Sequence, residues 1–293
     1  MRFTALLCSL CLLIVIFSGC AQEIPCQVAA TTLPVYQFTS ALCEGTDIEV
    51  TQLITQQVSC LHDYSLNVSQ VRTLEAAEVV VISGGGLEAF MDDALTQANR
   101  VINSSEGVAL LECEEHHHEE DAHEHHHHEQ DAHIWLSPQN AKIMAQNIAH
   151  GLAQVYPQYI PRFTYNLSQL EQRLTELENY GQSRLKDLSC RELITFHDGF
   201  GYFADAFDLH ILEAIEEESG SEASARELKN MIGLVREHHL PAIFTEVSGS
   251  VSAADIIAAE TGAKVFALNM AMSGNDYFEA MYHNIDTVRE AMK

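Results

Sequence analysis

The chain has 293 residues, with 15 Lys and Arg against 42 Asp and Glu, 16 His and a formal net charge of -27. At about 150 residues per domain this length points to two domains, and a 47% hydrophobic content supplies both with cores. Acidity on this scale excludes nucleic acid and an anionic membrane surface as main partners, because both are held by clustered Lys and Arg, and it leaves room for cations.

Arg2 is the only charge before Glu23, and Phe3 to Phe17 is almost wholly apolar. That run is shorter than the roughly 18 residues of a spanning helix and reads as an export signal. It ends in Phe17-Ser18-Gly19-Cys20, which resembles a bacterial lipobox with Phe in place of the usual Leu. Residues 1–19 are therefore expected to be a lipoprotein signal peptide and Cys20 the lipidated first residue, with an ordinary cleaved signal as the alternative. The protein is expected to be exported and lipid-anchored to the membrane at its extracellular or periplasmic face. Five cysteines follow Cys20: Cys26, Cys43, Cys60, Cys113 and Cys190. None of these five forms a CxxC, so bridges are preferred to thiolate ligands. Cys60 with Cys113 is the favoured pair and Cys26 with Cys43 a weaker one.

Gln27–Thr31 and Ile48–Ile54 read as strands, with a helical pattern from Pro34 between them. Val68–Ala77 reads as a helix, Val79–Ser83 as a buried strand and Leu87–Ala98 as another helix. Arg100–Asn103 and Val108–Leu111 could each be short strands. Gly84-Gly85-Gly86 lacks the GxGxxG spacing and any nearby base, so it reads as a turn and not a phosphate loop. Glu112–Asp131 holds nine acids and eight His in twenty residues, too polar to build a core. Pro138 opens a helix to about Val155. Gln158–Leu188 reads as one long helix, with Ile160, Phe163, Leu167, Leu170, Leu174 and Leu177 as its apolar seam.

A second alternating unit follows. Glu192–Phe196, His210–Ile215, Ala242–Val247 and Lys264–Leu268 read as strands. Gly199–Phe207, Ala223–His238, Val251–Thr261 and Asp276–Met292 read as helices. Strand–helix alternation implies parallel sheets covered by helices. The expected fold is α/β, two Rossmann-like lobes with parallel sheets joined by one long helix. The expected divisions are an N-terminal lobe over 20–156, carrying the acidic His-rich loop 112–131, then a linking helix over 157–188 and a C-terminal lobe over 189–293.

Three isolated histidines fall at comparable places. His62 follows the second strand, His133 follows the acidic run, and His197 follows the strand Glu192–Phe196. In open α/β sheets ligands bind beyond the carboxyl ends of strands, and imidazole suits zinc. Sequence spacing alone does not bring the three together. Within the acidic run, His123-Glu124-His125-His126-His127 satisfies HExxH, but it is polar on every side and lacks the apolar helix that motif needs.

A set of motifs then becomes specific. His62-Asp63-Tyr64, His133-x-Trp135-Leu136-x-Pro138 and Phe196-His197-Asp198-x-Phe200-Gly201-Tyr202-Phe203 occur in order. Phe244-Thr245-Glu246, Glu260-Thr261-Gly262-Ala263-Lys264 and Gly274-Asn275-Asp276-Tyr277 follow. Together they resemble the zinc-binding members of the ABC-transporter metal solute-binding proteins, over essentially all of the chain after the signal.

The resemblance implies that His62, His133 and His197 are metal ligands in the cleft between the lobes. Manganese-binding relatives place a carboxylate at position 197. The family often supplies a fourth ligand, an Asp or Glu, after the last strand, where this chain has Asn269; some relatives use a Glu where this chain has Leu61. The fourth position is open to water, to Asn269, or to a side chain of the acidic run. Asp63, Asp198 and Glu246 are expected to orient the imidazoles. His116, His117, His118, His123, His125, His126, His127 and His128 are expected to collect metal weakly, losing it as they protonate near pH 6.

The implied function is a monomeric, non-enzymatic carrier that captures Zn2+ and delivers it to an ABC permease, its lobes moving little about the long helix. Two alternatives remain: a surface adhesin or zinc-storage lipoprotein, and a zinc-dependent hydrolase using Asp63, Asp198 or Glu246 as base.

Overall fold

The computed structural model describes residues 27–293 except 57–60, 62–63, 113–129, 217–222, 248–250, 273 and 275. In the first lobe the order is β1 (Val28–Ala30), α1 (Leu33–Cys43), β2 (Val50–Gln52), α2 (Val68–Ala76), β3 (Val79–Ile82), α3 (Asp92–Leu95), β4 (Val101–Asn103) and α4 (Pro138–Val155). Next comes α5 (Ile160–Arg184). The second lobe runs β5 (Glu192–His197), α6 (Gly201–Ala206), β6 (His210–Glu216), α7 (Ala225–Glu237), β7 (Ala242–Glu246), α8 (Ser252–Thr261), β8 (Lys264–Leu268) and α9 (Tyr277–Ala291).

Each lobe holds a four-stranded sheet, ordered β2-β1-β3-β4 and β6-β5-β7-β8. Every pairing is parallel, so the expected α/β architecture with two parallel sheets is observed. The two orders are equivalent. In each, the chain reverses direction across the sheet beside its first strand, which opens a crevice at the carboxyl ends of β1 and β3 and of β5 and β7. Val28, Ala29 and Ala30 and Val79, Val80 and Val81 are fully buried, as strands covered on both faces must be.

Local chemistry explains most boundaries. Asn67 caps α2, taking amide hydrogens from Ser69 and Gln70 while Gln70 returns a bond to the Asn67 amide. Ser224 and Glu227 form the same box at α7. Ser137 with Pro138 starts α4, and Asp276 caps α9 through the Glu279 amide.

Helix α5 joins the lobes with 25 residues, about 38 Å at 1.5 Å per residue. It packs on α1 and α4 of the first lobe and α9 of the second. Its buried stripe is Phe163, Asn166, Leu170, Leu174, Leu177 and Gly181. The expected seam is shifted: Ile160 is exposed, and buried Asn166 donates to the carbonyls of Leu42 and Glu44, satisfying the end of α1. Polar bonds flank the stripe. Lys142 and Gln139 of α4 reach Glu178, and Asp286 of α9 receives Arg184 and Tyr180.

Three expectations need correction. Leu87–Ala98 is not one helix: a 3-10 turn over Ala89–Met91 precedes the single turn of α3. Only Leu87, Glu88 and Met91 are buried there, and Thr96 bonds back to the Asp93 carbonyl, so no apolar stripe sustains a longer helix. Val108–Leu111 pairs with no strand; the Leu111 amide is taken by the Tyr202 hydroxyl. Cys43 is a free, buried thiol, pushed up to about 12 by burial, so it makes no bridge to Cys26. Cys190 is also free. The signal peptide, Cys20, Cys60 and Cys113 lie outside the described residues. Among the described residues, no helix is long and apolar enough to cross a membrane.

Candidate metal centre

His197 is the last residue of β5 and Glu246 the last of β7. Thr195 pairs with Phe244, so His197 and Glu246 stand two residues further along neighbouring strands, at the crevice of the second lobe. His133 arrives from the first lobe. Behind it the turn Gly84-Gly85-Gly86 runs at φ of +83°, +65° and +91°, which glycine tolerates without strain. A Cβ at Gly85 would sit 3.8 Å from Ala132 and Ile134, the neighbours of His133. The turn is held by Glu88, a wholly buried carboxylate that accepts from Thr31 and from the amides of Ser83 and Gly84. Burial pushes the Glu88 carboxyl above its ordinary range against those bonds.

The structure brings two of the three expected histidines together. His133 and His197 approach with their Nε2 atoms 3.3 Å apart and their ring planes at 88°. Both are buried, at 4% and 3% exposure. Each Nδ1 faces a carboxylate: His133 meets Asp131 at 2.8 Å and His197 lies 3.3 Å from Glu246. A carboxylate oxygen accepts, so the Asp131 contact puts the hydrogen of a neutral His133 ring on Nδ1 and turns its Nε2 lone pair toward His197, while His197 Nδ1 stands at ion-pair distance from Glu246. Two imidazole nitrogens 3.3 Å apart can share a hydrogen in the metal-free protein and can take a cation between them. Two nitrogens on one tetrahedral zinc, bound at about 2.0–2.1 Å, stand about 3.3–3.4 Å apart. Asp131 fixes the orientation of the His133 ring through its hydrogen bond, and Glu246 places a second buried carboxyl group beside His197.

Asp131 was not anticipated, although the pattern Asp-x-His held a signal. Its Oδ1 accepts from the amide of His133 as well as from the ring, a short local turn typical of Asp. Glu246 ends β7 3.3 Å from His197. Asp198 is half-buried in the turn after β5. His62 and Asp63 lie outside the described residues, as do all eight histidines of the acidic run. Among the described residues, no third His, Cys, Asp or Glu joins the pair in a metal-holding group.

Asn269 follows β8, one residue before Met270, whose methyl group reaches the site beside Gly199. Both Asn269 oxygens are engaged: Oδ1 accepts from the Ala271 amide and the main-chain oxygen accepts from Asn284. Gly199 itself was missed, because its role is steric. A Cβ there would lie 2.7 Å from His197 Cδ2, 2.7 Å from Met270 Cε and 2.8 Å from His133 Nδ1.

Comparison with known proteins gives this geometry a family. The family model described as zinc-uptake complex component A, periplasmic, matches residues 28–291. The chain belongs to that family. It is 28% identical over 286 residues to the zinc-binding protein AdcA of Streptococcus pyogenes, covering 90% of this chain and 55% of AdcA. It therefore spans about half the length of that relative. Identity to the high-affinity zinc uptake system protein ZnuA of Bacillus subtilis is 28% over 279 residues, 90% of this chain and 87% of the relative. A crystal structure of ZnuA superposes with a TM-score of 0.78 at 28% identity, covering 91% of this chain and 99% of the other. The family is a solute-binding transport component.

Proposed function

We propose that this chain is the extracytoplasmic zinc-binding component of an ABC transporter, which captures Zn2+ and delivers it to a membrane permease. The observation that carries the reading is the apposition of His133 and His197 at 3.3 Å, each ring backed by a buried carboxylate. His62 is the third ligand in this reading, on the strength of its motif. Nitrogen-rich ligation favours zinc over manganese, which prefers oxygen. Asp131 holds the His133 ring with Nε2 directed at the ion, Glu246 stands beside the His197 ring, and the fourth position falls to water, to the Asn269 carbonyl oxygen or to a His or Glu of the acidic run. Capture and release are reversible coordination. No bond of a substrate is made or broken, and an enzymatic reading gains no support from the family. Cys20 anchors the chain as a monomer at the extracellular or periplasmic face of the membrane in this reading. A role as an adhesin or a zinc store is not favoured, because neither requires a buried pair of oriented imidazoles.

The test is competitive titration with zinc and manganese on the wild type and on His62→Ala, His133→Ala and His197→Ala, with Glu114–Glu129 removed in each. One tight zinc per chain is expected, preferred over manganese and lost in each substitution. Retention of tight zinc in all three variants would remove the site assignment.

A further inference from the structure

Tyr202 of α6 is buried at 3% exposure, and its hydroxyl does two things. It accepts from the amide of Leu111 at 2.9 Å and donates to the main-chain oxygen of Asp131 at 2.9 Å. Those residues, 91 and 71 positions away, are the two sides of the stem from which the acidic His-rich run departs. The stem is closed by the Asp131 amide on the Leu111 carbonyl at 2.9 Å and by an antiparallel bridge between Glu112 and Gln130. Asp131 in turn holds the His133 amide and ring. From the same helix, Gly201 packs so closely that a Cβ would stand 2.9 Å from Asp131 Oδ2 and 3.4 Å from Leu111 Cδ1.

The geometry points to Tyr202 as a positioning residue for metal binding: a second-lobe hydroxyl that clamps the stem at Leu111 and Asp131 and so aims the His133 imidazole. A phenolic hydroxyl can donate one bond and accept another, and here both serve the stem. The His-rich run is thereby attached to the site through two residues held from the opposite lobe. Without the hydroxyl, the Leu111 amide and the Asp131 carbonyl lose a buried partner, and the carboxylate that sets the ring loses its fixed base. This inference rests on the zinc-site reading above.

The experiment uses the full chain with Tyr202→Phe, which keeps the ring and removes only the oxygen, with Asp131→Asn, and with both together. Tyr202→Phe is expected to keep one zinc per chain, to bind it about 10-fold more weakly and to release it faster. The double variant is expected to lose no more than the more affected single variant, because both act through one path. In the metal-free protein, the 15N signals of the His133 ring are expected to show a smaller fraction of the Nδ1–H form in Tyr202→Phe. If Tyr202→Phe lowers the melting temperature sharply, Gly201→Ala perturbs Asp131 from the same helix and should give the same ring signature. Wild-type zinc affinity with unchanged His133 signals overturns the inference, as do losses that simply add in the double variant. Should His133→Ala leave zinc affinity intact, the site assignment falls instead, and the metal-free ring signals still decide the role of Tyr202.

Discussion

Trp135 donates its indole N–H to the main-chain oxygen of Met270 at 2.8 Å, a bond spanning 135 residues that ties the segment carrying His133 to the loop after β8. The Tyr277 hydroxyl donates back to the Trp135 carbonyl at 2.8 Å. Trp135 is fully buried, is the single Trp of the chain, and its ring meets the His133 ring edge-on at 5.4 Å. Its emission is thus a reporter built into the site. Titration with zinc should change the fluorescence in proportion to occupancy, saturating at one equivalent when Glu114–Glu129 is absent. His133→Ala should abolish the change. A saturable response that survives His133→Ala would place the ion elsewhere.

Gly199 is the most sensitive small residue of the site. A methyl group there meets both imidazoles and Met270 at 2.7–2.8 Å, closer than carbon or nitrogen can stand. Gly199→Ala is expected to cost about 1–3 kcal/mol of stability from overpacking and, on the proposed site, to weaken zinc at least about tenfold by displacing the His133 and His197 rings. Thermal melts without metal and competition titration with zinc separate the two effects. An alanine variant with normal affinity would show that the rings tolerate displacement.

Removal of the acidic run should leave the site in place. Glu112 and Gln130 are already paired across its base, so Gly-Gly in place of Glu114–Glu129, following Cys113, is enough to close the stem. The shortened chain is expected to keep one tight zinc and to lose the weaker, additional ions. Isothermal titration counts both classes. Loss of nearly all zinc would instead favour a storage role.

Acid should weaken the join between α4 and α5. Burial would raise the Glu178 carboxyl, but hydrogen bonds from Lys142 and Gln139, with the Lys142 charge, hold it below its ordinary range. A lowered folded value contributes stability that is complete above about pH 4.3, the unfolded value, and is lost as pH falls through the folded one. Glu178→Gln should therefore melt earlier than wild type at pH 7, by about 1 kcal/mol or less, with the gap closing below about pH 4. Melts across pH 3–7 in chelator test this; a gap independent of pH would discount the ion pair.

The alternation of strands and helices was legible because burial leaves periodic traces. Pro138 to Val155 and Lys264 to Leu268 begin and end where pattern and caps place them. The failures lie where periodicity carries little information. Leu87–Ala98 has helix-forming residues without a stripe to bury, and Val108–Leu111 has strand-like residues whose amide is claimed from another lobe. Asp131 was accessible in principle, since it acts on a neighbour two residues away. Gly199, Met270 and Tyr202 were not, because each matters through contacts whose partners are distant in the chain.

By itself, then, the sequence determined the α/β class, the long joining helix and the candidate histidines, because hydrophobic period, capping and motif spacing are local properties of a chain. Only the tertiary structure decided that His133 and His197 meet at 3.3 Å, that Asp131 sets the His133 ring, and that Glu246 lies 3.3 Å from His197. It alone placed a tyrosine from the second lobe at the base of the acidic run. The reason is physical: an imidazole becomes a directed ligand only when burial and a second hydrogen bond fix its orientation, and those constraints come from residues that folding, not sequence proximity, brings alongside.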